Sequence, residues 1–176
     1  MSSGGGDRRP TSGRRAGRRG PVVLRCLGAS AQVPFAAVTS VSVVVVAGDG
    51  ALVLADLARG WDLPGGHVQR GETGAEQTAR REVWEEVRVR VGVLEPVEVI
   101  ESDLFGADDL TYMLVFAARV AEFAEWSGGL ESAGRVVVSA EEFLARYRGG
   151  DPVLMRHLVG RGLAVLGSGV RPADSS

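Results

Sequence analysis

The order of apolar and polar residues predicts mainly strands in the centre of this chain. A β-branched run, Ser40–Ala47, is followed by Gly48-Asp49-Gly50 and then by a second apolar run, Ala51–Leu57. Two such runs joined by an Asp-Gly turn predict a β-hairpin. Trp61–Pro64 predicts a short extended segment. The paired glycines that follow it, Gly65-Gly66, predict a special bend in the backbone.

The period of the apolar residues changes after this bend. Ala75, Ala79, Val83 and Val87 recur every four residues, which predicts a helix from about Ala75 to Arg88. The later pattern predicts strands at Val89–Ile100, Leu110–Val120 and Arg135–Ser139, with a loop at Glu122–Ala133. It also predicts two helices, Ala140–Tyr147, which Ser139 would cap, and Val153–Leu166. Because strands and helices do not alternate regularly, the fold class is α+β, a sandwich rather than a doubly wound sheet.

The 176 residues are enough for one domain with its own core. Residues 1–20 contain Gly, Ser and Arg without apolar periodicity, and we expect them to form a disordered tail. We expect a single domain over residues 21–167, with Val22–Leu27 as a short strand near its start. Residues 168–176 are expected to be a second disordered tail.

Composition and charge limit the classes of function. The hydrophobic fraction of 45% and the charged fraction of 24% are typical of a globular protein. No apolar run approaches the roughly 20 residues of a membrane helix, and the first twenty residues lack the apolar centre of a secretory signal, so we expect a cytoplasmic protein without a membrane partner. The single cysteine, Cys26, has no second thiol for a disulfide or a metal cage and is interpreted as a small packing residue.

The basic residues are twenty arginines without any lysine, which excludes lysine-based catalysis. Six arginines and Asp7 give residues 1–20 a net charge of +5, which leaves residues 21–176 with −7. A body this acidic is a poor surface for phosphate backbones, so we expect no specific nucleic-acid binding. The arginines of the tail either contact an acidic partner or are simply solvated.

Three carboxylates stand together on the predicted central helix. Glu82, Glu85 and Glu86 are three and four residues apart, so they share one helical face. Their mutual repulsion would be offset by a hard divalent cation, and Mg²⁺ prefers such oxygen ligands. Arg81 beside them could hold a carboxylate in a fixed orientation. The alternative is an ordinary solvated helix face, but the preceding glycine bend and Glu72 favour the metal site.

This stretch resembles the signature of the Nudix hydrolase family. Gly66 and Glu72 are separated by five residues, and Arg81-Glu82-Val83-Trp84-Glu85-Glu86 follows the core of the family pattern. The resemblance covers about residues 38–150. Two departures stand out: eight residues instead of seven separate Glu72 from Arg81, and Arg88 replaces a glycine. We expect the first to shift Glu72 relative to the helix, and the second to give the helix end a different shape.

The resemblance implies an α/β/α sandwich with a mixed central sheet and a loop-helix-loop catalytic motif. It also implies a Mg²⁺-dependent hydrolase, with Mn²⁺ as an alternative, that cleaves the diphosphate linkage of a nucleoside diphosphate derivative. The metal ligands would be the Gly65 carbonyl, Glu82, Glu85 and Glu86; the catalytic candidates are Arg81, Glu85, Glu86 and Glu131; and the substrate-binding candidates are Trp61, His67 and Tyr112.

Several of these candidates have an equally simple alternative. Glu131 is either the catalytic base or a surface loop residue, and His67 either faces phosphate or makes a structural hydrogen bond. Trp61 and Tyr112 either contact substrate or pack in the fold, and His157 is assigned no function. A non-catalytic nucleotide-sensing domain is the alternative to an enzyme, and a homodimer is common in the family.

Overall fold

The computed structural model describes residues 21–127 and 132–167, which form a mixed β-sheet with helices on both faces. Its strands are β1 (Leu24–Cys26), β2 (Val38–Val46), β3 (Leu52–Leu57), β4 (Gly60–Asp62), β5 (Gly65–His67), β6 (Val89–Val91), β7 (Glu95–Ser102), β8 (Thr111–Phe123) and β9 (Gly134–Val138). The helices are α1 (Ala75–Val87), α2 (Ala140–Arg146) and α3 (Pro152–Gly167), with a short 3₁₀ helix at Phe35–Ala37.

The sheet has the strand order β1-β7-β8-β2-β3-β4, while β5 pairs with β2, β6 with β8 and β9 with β3. β2 and β8 run parallel, and the other described pairings are antiparallel. The predicted hairpin is confirmed as β2–β3, where Gly50 has a φ of 88° and its amide donates to the Ala47 carbonyl at 3.0 Å. The mixed sheet and the three helices confirm the predicted α+β sandwich.

Alternate residues of β2 divide the core into two clusters. Val41, Val43 and Val45 pack on the side of α1, whose apolar stripe of Ala79, Val83 and Val87 is fully buried. Val44 and Val46 pack on the opposite side, against α2 and α3. Successive strand side chains point to opposite faces, so α1 and α3 cover different faces of one sheet.

The C-terminal end of α1 corrects one prediction. We expected a differently shaped helix end, but Arg88 takes the left-handed conformation of the usual glycine, with φ 52° and ψ 48°. Such a conformation costs a non-glycine residue about 1 kcal/mol. Tertiary contacts hold it: the Arg88 carbonyl accepts from the Ala124 amide at 3.0 Å and from Arg135 at 3.2 Å.

Some other predictions need correction or lie outside the described residues. The predicted loop from Glu122 begins later, because β8 continues to Phe123, where it pairs with Val89. Cys26 is exposed, so its interpretation as a packing residue is wrong. The two predicted tails and Glu131 lie outside the described residues. None of the helices described by the structure has both the length and the apolar character needed to cross a membrane.

Candidate active site

The glycine bend, Gly65-Gly66, forms β5 and lies directly against both β2 and α1. A Cβ on Gly65 would collide with the backbone of Val41 and Ser42, and a Cβ on Gly66 would lie 2.5 Å from Oε1 of Glu82. The Gly65 amide donates to Oε2 of Glu86 at 2.9 Å. The two glycines therefore let the strand and two acidic side chains of α1 come into contact.

Arg81 is the centre of the polar contacts around this bend. Its Nη1 donates to Oε1 of Glu82 at 2.7 Å and to Oε2 of Glu85 at 2.9 Å. Its Nε donates to Oε1 of Glu72 at 2.8 Å, and its Nη2 donates to the His67 carbonyl at 2.9 Å. One guanidinium thus fixes three carboxylates and the bend, which extends the single orienting contact expected from the sequence.

Glu72 joins the loop before α1 to the helix itself. Its Oε2 accepts from the Thr78 hydroxyl at 2.8 Å and from the Gln69 amide at 2.7 Å. Hydrogen bonds from Arg81 lower the pKa of this carboxyl from 4.5 to about 2, against the opposing effect of burial, and the other two donors add to the lowering. The extra residue before Arg81 therefore leaves Glu72 in contact with the helix, as the partner that holds Arg81.

Three acidic residues bond to Arg81, and Glu86 lies on the same helix beside them. We call Glu72, Glu82, Glu85 and Glu86 the glutamate cluster. With one guanidinium among four carboxylates, the group has a formal charge of −3. A cavity of about 220 Å³ opens here, lined by Gly65, Gly66, His67, Gln69, Arg81, Glu82, Glu85 and Glu86. A donor set made of carboxylate oxygens with excess negative charge suits a hard divalent cation.

The predicted site residues differ in how they face this cavity. Glu82 and Glu86 are buried, whereas the Glu85 side chain is 33% exposed. His67 is exposed, lines the cavity, and contributes its carbonyl to the contact with Arg81. Gly65 contributes its amide to Glu86, and the use of its carbonyl as a metal ligand stays a prediction.

Two substrate-binding candidates lie elsewhere in the fold. Trp61 is half-buried against the core beneath α2 and α3, and the Arg146 guanidinium lies 4.9 Å from its ring centre. Tyr112 is half-buried in β8, where it pairs with Val38 and Glu101. Both residues therefore lie outside the lining of the cavity around the glutamate cluster, and their contact with substrate stays a prediction.

A second cavity of about 330 Å³ shares Gly65 and Gly66 with the first. It lies on the α3 side and is lined partly by apolar residues, including Met113, Leu154 and Leu158. Asp62 and Tyr147 are among its polar lining residues. Burial, and then the Asp62 charge, raise the pKa of Tyr147. Tyr147 was missed in the sequence because nothing local distinguishes it from a helix-end packing residue.

Comparison with known proteins identifies the family. The NUDIX domain model matches residues 37–158. A pyrophosphohydrolase from Bacillus subtilis is 26% identical, with a TM-score of 0.64 over 84% of this chain and 91% of that chain. The NUDIX domain of NrtR from Shewanella oneidensis, in complex with ADP-ribose, is 16% identical, with a TM-score of 0.59 over 77% of this chain and 94% of that chain.

A third solved structure, an ADP-ribose pyrophosphatase from Streptococcus suis, is 14% identical, with a TM-score of 0.53 over 74% of this chain and 92% of that chain. At this level of identity, it and the Shewanella domain show a shared fold alone. No curated protein matches this chain in sequence. The matched model covers the glycine bend, the glutamate cluster and most of the sheet, and the chain therefore belongs to the Nudix family of hydrolases, which act on phosphoric anhydride bonds.

Proposed function

We propose that this protein is a magnesium-dependent hydrolase that cleaves the diphosphate linkage of a nucleoside diphosphate derivative. The observation that carries the proposal is the contact between the glycine bend and α1, where Gly66 leaves room for the Glu82 carboxylate and the Gly65 amide binds Glu86. This contact gathers acidic oxygens at one open cavity beside a backbone turn. Diphosphate substrates reach such sites together with divalent cations.

Glu82, Glu85 and Glu86 are the proposed ligands of Mg²⁺, or alternatively of Mn²⁺. Their oxygens fit a hard cation because the cluster keeps excess negative charge after Arg81 is counted. A bound ion would neutralise phosphate oxygens and lower the pKa of an attacking water.

The other residues of the cluster act by positioning. Arg81 holds Glu82 and Glu85 through one nitrogen, which fixes the relative placement of the two carboxylates. Glu72 in turn holds Arg81 through its Nε at 2.8 Å. The Gly65 amide donates to Glu86 and so fixes this third carboxylate. These contacts orient the ligand oxygens before substrate arrives, which lowers the reorganisation needed during the reaction.

Glu85 is the proposed general base. A base must reach the attacking water, and Glu85 is more exposed than Glu82 and Glu86. Its contact with Arg81 at 2.9 Å holds the side chain toward the cavity. Glu131, the other candidate from the sequence, lies outside the described residues and stays a prediction.

The second cavity is the proposed place of the nucleoside or other group attached to the diphosphate. Its shared wall at Gly65 and Gly66 would place that group beside the glutamate cluster. Its volume is in the range of small-ligand pockets, and it combines apolar walls with a few polar groups. Tyr147 and Asp62, which line this cavity, are the proposed specificity residues.

The test is hydrolysis of a panel of nucleoside diphosphate derivatives with Mg²⁺, comparing the wild type with Glu86→Gln. We expect kcat/KM to fall by about 10²–10³-fold in the variant, because loss of a metal-binding charge removes several kcal/mol of transition-state stabilisation. Glu76→Gln is the matched control, since Glu76 is an exposed residue in the first turn of the same helix. It should keep wild-type turnover.

Two outcomes would overturn the proposal. One is equal turnover by Glu86→Gln and the wild type. The other is nucleotide-induced thermal stabilisation of the wild type without any product from the panel, which would support the nucleotide-sensing alternative.

A further inference from the structure

A second group of metal-ligating side chains lies on the α3 face of the sheet, opposite α1. Cys26 comes from β1, Glu98 from β7 and His157 from α3, and one ligand atom from each residue lies within 4.8 Å of the others. We call this group the thiol cluster. It contains none of the residues of the glutamate cluster, and its three members are far apart in the sequence.

The strand register explains how Cys26 and Glu98 come to face the same side. Cys26 pairs with Ile100 across the β1–β7 ladder, and Ile100 belongs to the core beneath α3. Glu98 is two residues before Ile100 and shares its face. A β-bulge between Pro96 and Glu98 places Val97 on this side as well, so the strand bends at the point where the acid is inserted.

Glu98 is held as an oriented ligand. It is 4% exposed, and its Oε1 accepts from the amides of Gly28 and Val99, the latter at 3.1 Å. Its Oε2 lies 2.9 Å from Nε2 of His157. The two backbone donors therefore fix one oxygen, and the other contacts the histidine. Outer contacts of this kind orient the ligands of protein metal sites.

We propose that Cys26, Glu98 and His157 bind a zinc-like divalent ion at a second site, distinct from the glutamate cluster. One thiolate, one imidazole and one carboxylate form a mixed donor set typical of zinc, and three protein ligands leave a fourth tetrahedral position for water. Zinc bond lengths place such ligand atoms about 3.5 Å apart. In the structure the three ligand atoms lie within 4.8 Å of one another, and those of His157 and Glu98 are 2.9 Å apart.

Binding exchanges protons for the ion. Partial desolvation and then the charge of Glu98 raise the pKa of the Cys26 thiol, so the metal-free group holds its proton. The ion displaces this proton to solvent and takes the place of the hydrogen bond between His157 and Glu98. Burial opposes ionisation of Glu98, but its hydrogen bonds from His157 and the two amides lower its pKa, so the carboxylate is ionised before the ion arrives.

An ion at this position would also affect the second cavity. Leu24, two residues before Cys26, and Leu158, beside His157, both line the second cavity. An ion that bridges β1 and α3 would fix two walls of that cavity. The simpler alternative is that Glu98 and His157 only form a latch between β7 and α3.

Co²⁺ titration of the purified full chain separates these alternatives. Cys26 is the single cysteine, so any thiolate-to-cobalt charge-transfer absorption must come from this residue. We expect the band to saturate at one equivalent, to disappear on addition of Zn²⁺, and to be absent in Cys26→Ser. His157→Ala should weaken cobalt affinity at least tenfold, since it removes one ligand whose side chain is 41% exposed and whose loss should leave the fold intact.

The controls separate this site from the proposed active site. His67→Ala removes the other histidine and should leave the band unchanged, and so should Glu86→Gln. Absence of a thiolate band in the wild type would overturn the proposal. A band with equal affinity in His157→Ala would also overturn it, because it would show an isolated thiol binding cobalt. Neither result depends on hydrolytic activity.

Discussion

On each face of the sheet, one glycine lies where an added Cβ would meet a neighbouring side chain, but the two neighbouring side chains differ in how easily they can move. On the α1 side, a Cβ on Gly66 would meet the carboxylate of Glu82, the far end of a flexible side chain. On the α3 side, a Cβ on Gly162 would lie 2.8–2.9 Å from the side-chain carbons of Val44, which is fully buried and β-branched. A carboxylate can move away from a methyl group, whereas a stiff core residue cannot.

The polar groups of the two faces also differ in the ligand atoms that they offer. The glutamate cluster surrounds an arginine with oxygen ligands and opens to a cavity. The thiol cluster combines sulfur, nitrogen and oxygen around one buried carboxylate. The first is suited to a hard ion and the second to a softer one. We infer that the α1 face is arranged to hold a hard ion beside phosphates, whereas the α3 face combines core packing with the second cavity and the softer donor set.

The largest expected effect comes from exchanging the two glycines for alanine. Gly66→Ala should displace the Glu82 carboxylate and lower kcat/KM about a hundredfold, because a shift of about 1 Å is enough to misalign a site, while stability changes little. Gly162→Ala should leave kcat/KM near the wild-type value but lower the free energy of unfolding by about 1–3 kcal/mol through overpacking. For both variants, steady-state kinetics gives kcat/KM and urea denaturation gives the free energy of unfolding.

Gly160→Ala is the control for Gly162, because it lies in the same helix with open space around its Cα. Replacement there should stabilise the protein by about 0.5–1 kcal/mol. If Gly66→Ala loses stability instead of activity, the functional interpretation of the glycine bend is wrong.

The α1 face was the more predictable of the two from sequence. Its apolar stripe repeats every four residues, and the three glutamates share a face by spacing alone, so both follow from local geometry. The meeting of Gly65-Gly66 with this helix was implied only by the family resemblance. Their contacts depend on how closely β5 approaches β2, and no local rule gives that approach.

The α3 face could not be predicted in the same way. Glu98 stands among Val97, Val99 and Ile100, and an acid inside an apolar run was the available signal that something must pair with it. Its partners, however, are 70 and 59 residues away, at Gly28 and His157. Only the packing of β1 and α3 on β7 brings these residues together.

The second prediction concerns the ion pair that supports the glutamate cluster. The pKa of Glu72 is about 2 in the folded state and 4.5 without its partners. Its contribution to stability is therefore fully present above about pH 4.5 and is lost as the pH falls toward 2. We expect Glu72→Gln to be about 2 kcal/mol less stable than the wild type at pH 7, once solvent screening is allowed for.

Urea denaturation between pH 7 and pH 2.5 measures this difference, which should shrink as the pH falls. Glu122→Gln is the matched control, because Glu122 pairs with Arg90 on the surface at 3.6 Å with both side chains more than half exposed. Such pairs contribute about 0–1 kcal/mol. A constant difference between wild type and Glu72→Gln across this range would show that the carboxylate charge of Glu72 does not stabilise the fold.

The smallest expected effect is at Arg88, where α1 ends in the left-handed conformation. Arg88→Gly removes the backbone strain, which is about 1 kcal/mol. It also removes a guanidinium that lies 5.6 Å from the Trp84 ring centre. The free energy of unfolding should therefore rise by only about 0.5 kcal/mol. Arg90→Ala removes a second contact with the same ring, at 4.7 Å and without a positive φ, together with the exposed ion pair to Glu122. It should lower stability by about 0.5–1 kcal/mol. Thermal unfolding of both variants and the double variant measures the two effects. A loss of stability in Arg88→Gly larger than that in Arg90→Ala would mean that the arginine side chain stabilises the end of α1 by more than its backbone conformation costs.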